Sequence, residues 1–299
     1  LPTDSAPFKS GFIALVGLPN VGKSTFLNHV LEQKIAITSS RPQTTRNRIL
    51  GILNASDAQL IFMDTPGIHR SDQVFNQRMV KTALAALQES NVILWMVDAA
   101  QPYGEDEDLI LEAMKSAGAP AVLALNKIDL AKKSDLLVMI DRYRNMFDFA
   151  AIVPVSALRN EGLDLVIKEL KPLLPEGPQY FPPDMITDLP ERFLVAELVR
   201  EKVMRLCRAE VPYAVAVTVE SFEEKPEKNL VVIHAVVEVE RQSQKGILVG
   251  KEGSMLKNIG QQARKDIEGL LGVKVFLSLF VRVSRNWRRD ERKLQQLGY

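Results

Sequence analysis

GFIALVGLPNVGKSTFLNHVL, residues 11–31, carries the reading on which the fold depends. A run of apolar residues leads into a loop bounded by Gly17 and Gly22, and a helical pattern follows. Such an uninterrupted apolar run reads as a strand buried on both faces. The loop fits G-x-x-x-x-G-K-[ST] from Gly17 to Ser24, with Leu18, Pro19, Asn20 and Val21 between the glycines and Thr25 after them. Glycines let the backbone fold around a phosphate with its N–H groups turned inward, and the helix adds its positive N-terminal end. Lys23 supplies a point charge for β- and γ-phosphates, and the Ser24 hydroxyl is a ligand for Mg²⁺.

Working outward, QLIFMDTPG ends a second apolar strand at Asp64, followed by Thr65, Pro66 and Gly67. A carboxylate at a strand end can hold Mg²⁺ through water. Gly67 leaves a backbone N–H free for a γ-phosphate, so the loop after it, 68–78, reads as a switch that senses a triphosphate. Between the two motifs lies ITSSRPQTTRNR, 37–48, polar and threonine-rich, as a first switch would be. Thr45 resembles the switch threonine that closes over Mg²⁺ and the γ-phosphate, with Thr44 as the other assignment.

Farther along, AVLALNKID ends a strand with Asn126, Lys127 and Asp129. Guanine presents two donors on one edge, N1–H and the exocyclic amine, and one carboxylate accepts both. Adenine would leave that carboxylate unpaired, and a missing designed hydrogen bond discriminates by roughly 10⁴ or more. Asp129 is placed for this role, Lys127 would lie over the base, and Asn126 would tie the loops. Ser156 and Ala157, in VSA at the end of the last strand, offer a backbone N–H to guanine O6.

Strand candidates at 11–17, 47–54, 59–64, 92–98, 121–126 and 151–155 alternate with helical patterns at 23–32, 76–89, 105–117, 134–147 and 163–171. This alternation predicts an α/β fold, a mostly parallel sheet with helices on both faces. Ligands on such sheets sit beyond the C-terminal strand ends. The acidic stretch 104–109 reads as a helix start complementing the macrodipole.

The stretch KPLLPEGPQYFPPDMITDLP, 171–190, then brings six prolines. Proline this dense opposes helix and ladder alike, so the stretch reads as a semi-rigid linker. The expected division is 1–172, a linker at 173–190, and 191–299. Beyond the linker a helix at 191–207, strands at 213–221 and 230–239, helices at 243–249 and 254–270 and a strand at 273–283 give α-β-β-α-α-β, followed by a basic tail. Gly250, Lys251, Glu252 and Gly253 join the last two helices. A GXXG loop of this kind, in the KH fold, clamps about four single-stranded nucleotides. Lys251, Lys257, Arg264 and Lys265 are candidate phosphate contacts, and Glu252 lowers the local charge. Ile247, Val249 and Ile259 suit the groove wall or the helix core.

Charge separates the two parts. Residues 1–190 carry a net −4, residues 191–299 a net +5, and 241–299 alone a net +8. A basic end points to a polyanion partner. The single cysteine, Cys207, excludes a disulfide within the chain and sits in an apolar helical pattern, as a buried small hydrophobe would. No apolar run approaches the roughly 18 residues of a membrane-spanning helix, and no secretory signal is visible. A cytoplasmic setting is expected. His29, His69 and His234 are scattered, without metal-ligand spacing.

The order and spacing of these motifs resemble a translation-factor-type GTPase. In Ras-like GTPases a glutamine after D-x-x-G orients the attacking water. Ile68 stands at that place and cannot, so no side-chain base is expected, and catalysis rests on Lys23, Thr45 and Gly67. Related GTPases that use potassium place an asparagine where Asn20 lies, and the cation adds positive charge beside the phosphates. Together the motifs, the LPEGPQYFPPD linker, the QTTRNR switch, the type II KH order and the DERKLQQLGY tail resemble the Era family over practically the whole chain. The resemblance implies a P-loop G domain followed by an α+β type II KH domain. It implies GTP and GDP as ligands, with Mg²⁺, and slow hydrolysis without stimulation; K⁺ at Asn20 is a separate expectation, taken from the potassium-using GTPases. It further implies a monomer that binds small-subunit (16S) ribosomal RNA near its 3′ end, assists assembly of the 30S precursor, couples its domains through GTP, and makes a peripheral membrane contact. The competing readings are a signalling GTPase without an RNA role and a non-hydrolysing RNA-binding scaffold.

Overall fold

The computed structural model describes residues 7–70 and 73–299. The chain divides into two compact units: Leu1–Ala36 with Pro42–Asp188, and Ile37–Arg41 with Leu189–Tyr299.

In the first unit the elements run β1 (Lys9–Val16), α1 (Lys23–Val30), β2 (Ile49–Asn54), β3 (Ala58–Asp64), α2 (Val74–Glu89), β4 (Val92–Asp98), α3 (Glu105–Ala117), β5 (Ala121–Asn126), α4 (Lys133–Arg144), β6 (Ala151–Pro154) and α5 (Leu163–Leu170). Six strands lie in the order β2-β3-β1-β4-β5-β6. Only β2 runs against its neighbour. All seven residues of β3 and all six of β5 are buried, which is why these strands are apolar almost throughout. Alternate residues serve opposite faces. Ala14, Met63, Trp95 and Leu123 pack with Ala83, Ile110 and Tyr143 from α2, α3 and α4. Phe62 points the other way and meets Phe26 of α1 edge-on at 5.9 Å. At the start of α3 the Gly104 N–H donates to the Glu107 carboxylate at 2.9 Å, and Gly118 closes the helix in a left-handed conformation. Because β1, β3, β4, β5 and β6 are parallel, Gly17, Asp64, Asp98, Asn126 and Val155 emerge along one edge of the sheet.

The proline-rich stretch, expected as a semi-rigid linker at 173–190, belongs up to Asp188 to this unit. Its carbonyls find donors on the strands. Ser10 N–H donates to Pro175 O at 3.1 Å, and Ile52 N–H to Ile186 O at 2.7 Å. The fully buried Gln59 side chain accepts from the N–H groups of Tyr180 and Phe181 at 2.8 and 3.0 Å. Proline lacks a donor but keeps its carbonyl, so an extended proline-rich chain can still accept hydrogen bonds along a sheet margin.

In the second unit α6 (Glu191–Leu206) and α8 (Ser254–Leu271) pack on one face of a three-stranded sheet. Its strands are β7 (Ala216–Lys225), β8 (Leu230–Val239) and β9 (Lys274–Val283), in that order. β8 is antiparallel to β7 and parallel to β9. α7 (Gln242–Val249) precedes the GKEG loop. β7 begins three residues later than the apolar pattern indicates, because Pro212 opens a 3₁₀ turn over Val211–Tyr213. Charges buried on α6 are paired: Arg200 Nε donates to Glu197 at 2.7 Å, and Lys202 reaches Glu201 at 3.0 Å. The basic tail is not loose. It forms α9 (Glu291–Gln296), with the Asp290 side chain accepting from Arg292 N–H at 3.1 Å, and buries Trp287, whose indole N–H donates to Ala214 O at 3.0 Å. Cys207 is buried in the core of this unit.

Candidate active site and nucleic-acid interface

The loop between β1 and α1 turns on Gly22, at φ +105, where a Cβ would come within 2.2 Å of the Asn126 Nδ2. No other residue fits there. Lys23 is buried and its Nζ donates to the carbonyls of Gly17 and Leu18, both at 3.1 Å. Burial lowers its pKa to about 8, with Asp64 partly opposing the shift. Leu18, Pro19, Val21 and Thr25 build the loop and the first turn of α1, and Asn20 sits exposed in the left-handed region, φ 64.

Three oxygens meet beside this loop. Ser24 Oγ lies 2.8 Å from Thr45 Oγ1 and donates to Asp64 Oδ2 at 2.7 Å, and Thr45 Oγ1 lies 3.4 Å from that same atom. It is Thr45, rather than Thr44, that the fold brings to this cluster. Burial raises the Asp64 pKa to about 6, with Lys23, Ser24 and Thr45 opposing. Asp64 Oδ1 is buried with no hydrogen-bond partner among the described residues. Hydroxyl and carboxylate oxygens around an unsatisfied buried oxygen form a hard donor set, which fits Mg²⁺. Thr65 anchors its own turn by donating to Leu15 O at 2.9 Å, and Pro66 leads to Gly67. Ile68 is fully buried, with its side chain in the core and its N–H on Gly17 O at 3.2 Å. It offers no side-chain base. Residues 71–72 of the expected second switch lie outside the described residues.

At the other end of the same edge, Asn126 Oδ1 accepts from Ala157 N–H at 2.8 Å. Ser156 Oγ donates to Asp129 Oδ1 at 2.7 Å, and Arg159 Nε stands 3.7 Å from Asp129 Oδ2. Lys127, in the left-handed region, pairs with Asp98 Oδ2 at 2.6 Å. Asp98 and Arg159 escaped the sequence reading. The signal for Asp98 was a carboxylate ending an otherwise apolar strand, and the register that sets it opposite Asn126 appears only in the folded sheet.

The second unit holds the GKEG loop between α7 and α8. Gly250 has φ +72, and a Cβ there would meet Met255 Cβ at 2.8 Å. Lys251 and Glu252 are exposed, and Gly253 precedes α8 in a left-handed conformation. Beside the loop a groove of about 420 Å³ runs between α8 and β9. Lys257 and Arg264 line it with Leu256, Leu277 and Leu279, whereas Lys265 is exposed outside it. Ile259 is fully buried in the core and Ile247 is exposed.

The family model described as 50S ribosome-binding GTPase matches residues 12–127, and the one described as KH domain matches 210–288. The chain is 52% identical to GTPase Era of Geobacter metallireducens, covering 98% of each chain. It is 50% identical to GTPase Era of Syntrophus aciditrophicus, covering 99% of this chain and 96% of that one. Two solved structures superpose with a TM-score of 0.94 at 41% identity, over 98% of this chain and 99% of theirs. One is a variant of Aquifex aeolicus Era bound to GDP and AlF₄⁻. The other is Era in complex with MgGDPNP and nucleotides 1506–1542 of 16S ribosomal RNA.

Proposed function

The chain belongs to the Era family of GTPases, and on that premise we propose that it is a GTP-driven switch that binds small-subunit ribosomal RNA near its 3′ end and assists 30S assembly. The observation that supports this reading is that one chain gathers Ser24, Thr45 and Asp64 beside a glycine loop, ties Ser156 to Asp129 on the same sheet edge, and sets a GXXG loop beside a groove lined by Lys257 and Arg264. The setting is the cytoplasm, where GTP and ribosomal precursors meet.

The residues divide the work. The backbone N–H groups of the glycine loop and the start of α1 receive the phosphates, and Lys23 adds a full charge there. Asp129, oriented by Ser156, accepts both donors of the guanine edge. Asn126 fixes Ala157, whose N–H is the donor for guanine O6. Ser24, Thr45 and Asp64 would hold Mg²⁺, which supplies neutralising charge to the β- and γ-phosphate oxygens. Gly67 presents its N–H to the γ-phosphate. With Ile68 turned into the core, the attacking water is oriented without a side chain from that position.

The missing side-chain assistance leaves room for a cation beside Asn20, the role we assign to K⁺. Hydrolysis should be faster in K⁺ than in Na⁺ buffer, and Asn20→Ala should remove the difference. Equal rates in the two buffers would exclude it.

The RNA half of the proposal is tested by titrating the full chain with an RNA of nucleotides 1506–1542 of 16S ribosomal RNA. Gly253→Asp places a negative charge in the clamp and should abolish that binding while leaving GTP affinity unchanged. RNA affinity untouched by Gly253→Asp would favour a signalling GTPase instead.

A further inference from the structure

The sheet of the second unit has two faces, and only one is covered by α6 and α8. On β9 the odd positions Val275, Leu277, Leu279 and Val281 enter the core. The even positions turn outward, and there Phe276 and Phe280 are 55% and 57% exposed. Two large apolar rings on one open face form a patch of the kind that marks an interaction site. The neighbouring strand extends the same face. Strand register sets half-buried Val232 beside Phe276, half-buried His234 beside Ser278 and buried Val236 beside Phe280, so the open part of this face lies along β9. The His234 and Phe276 rings meet at 6.4 Å in an edge arrangement.

We propose that the outer face of β9 is a second RNA-binding site, a stacking platform for bases of a single strand that leaves the GXXG groove. The inference rests on the RNA reading above and extends it. Three observations select the occupant. The platform is continuous with the groove, because β9 is an edge strand and Ser278 both lines the groove and stands between the two rings along β9. Charge is arranged for a polyanion on this side: Lys274 lies two residues from Phe276, in register with Leu230 and Lys225. Of the carboxylates of this face, Glu220 and Glu223 lie on β7 and Glu238 on β8, in register with Arg282 of β9. Glu220 and Glu238 are engaged by Arg282 at 2.7 and 3.2 Å, and Glu223 is two strands away from Phe276. A polyanion is therefore held to the β9 side, next to the groove. Aromatic rings presented on a sheet bind bases through their faces and tolerate any sequence. The rings are four residues apart, about 13 Å along a strand, so each serves its own base.

The test uses the full chain and the RNA of nucleotides 1506–1542, followed by fluorescence anisotropy. Phe276→Ala with Phe280→Ala should weaken binding by roughly tenfold or more. Phe276→Tyr with Phe280→Tyr should restore it, because the ring face is kept. The melting temperature and the GTP hydrolysis rate without RNA should match the parent chain, since both side chains are exposed. A four-nucleotide RNA, held by the clamp alone, should bind the parent and the double alanine variant equally. Parent-like binding of the long RNA by the alanine variant overturns the platform while leaving the clamp intact, and so does equal weakening by alanine and tyrosine. Failure of the parent chain to bind either RNA removes the RNA reading itself, and the platform with it.

Discussion

The side-chain amide of Asn126 donates to the carbonyl of Val21 at 2.6 Å. The same amide accepts from Ala157 N–H at 2.8 Å, so one buried side chain joins the phosphate loop, the end of β5 and the loop after β6. Phosphate recognition and base recognition are thereby held in one geometry.

Asn126→Ala should loosen both ends of the pocket. Each lost buried hydrogen bond leaves an unsatisfied partner and costs about 1–3 kcal/mol. Calorimetry with GDP should show affinity reduced by roughly two orders of magnitude, while the far-ultraviolet circular dichroism is retained. An unchanged affinity would mean that the three loops are fixed by other contacts.

Asp129→Asn exchanges an acceptor for a donor at the base edge. Guanine then meets an amide N–H, whereas xanthine offers a carbonyl there in place of the amine. GTP affinity should fall by roughly 10³ or more, and xanthosine triphosphate should become the better ligand. Competition between the two nucleotides reads the outcome directly.

Asp98→Asn removes the charge that holds Lys127 at 2.6 Å. A hydrogen bond between charged groups contributes about 1.5–3 kcal/mol, so GDP should bind roughly tenfold more weakly. The preference for guanine should survive, because Asp129 keeps its bond from Ser156. Loss of base preference in this variant would assign Asp98 a direct part in reading the base.

Cys207 is buried in the core of the second unit, and burial pushes its thiol up to about 11 from 9.0. The neutral thiol is therefore the folded form. Its contribution to stability is fully present below pH 9 and is lost as pH rises through about 11. Iodoacetamide at pH 8 should leave the native chain unmodified and label it fully in denaturant. Rapid labelling of the native chain would contradict the burial.

The apolar strands and three short motifs were legible because their constraints are local. A strand buried on both faces must be apolar at nearly every position, and a phosphate loop must carry glycine where Gly22 sits. What was not legible depends on partners distant in sequence. The Asp98–Lys127 pair needs the β4–β5 register. The docking of 173–188 depends on strand margins that accept no pattern of their own, and the sequence shows only prolines. The tail reads as charge alone, yet Trp287 and Leu294 bury themselves in it. VKVFLSLFVRV reads as a strand without saying which aromatic rings the core leaves outside.

We infer that the nucleotide held by Lys23, Asp64 and Asp129 governs RNA binding at Gly250–Gly253. Linkage requires any such coupling to be reciprocal. The most direct measurement is the affinity of the full chain for nucleotides 1506–1542 of 16S ribosomal RNA, taken with Mg²⁺ and either a non-hydrolysable GTP analogue or GDP. RNA should bind about tenfold or more tighter with the analogue, and should tighten the analogue by the same factor. Identical RNA affinities in the two nucleotide states would contradict it.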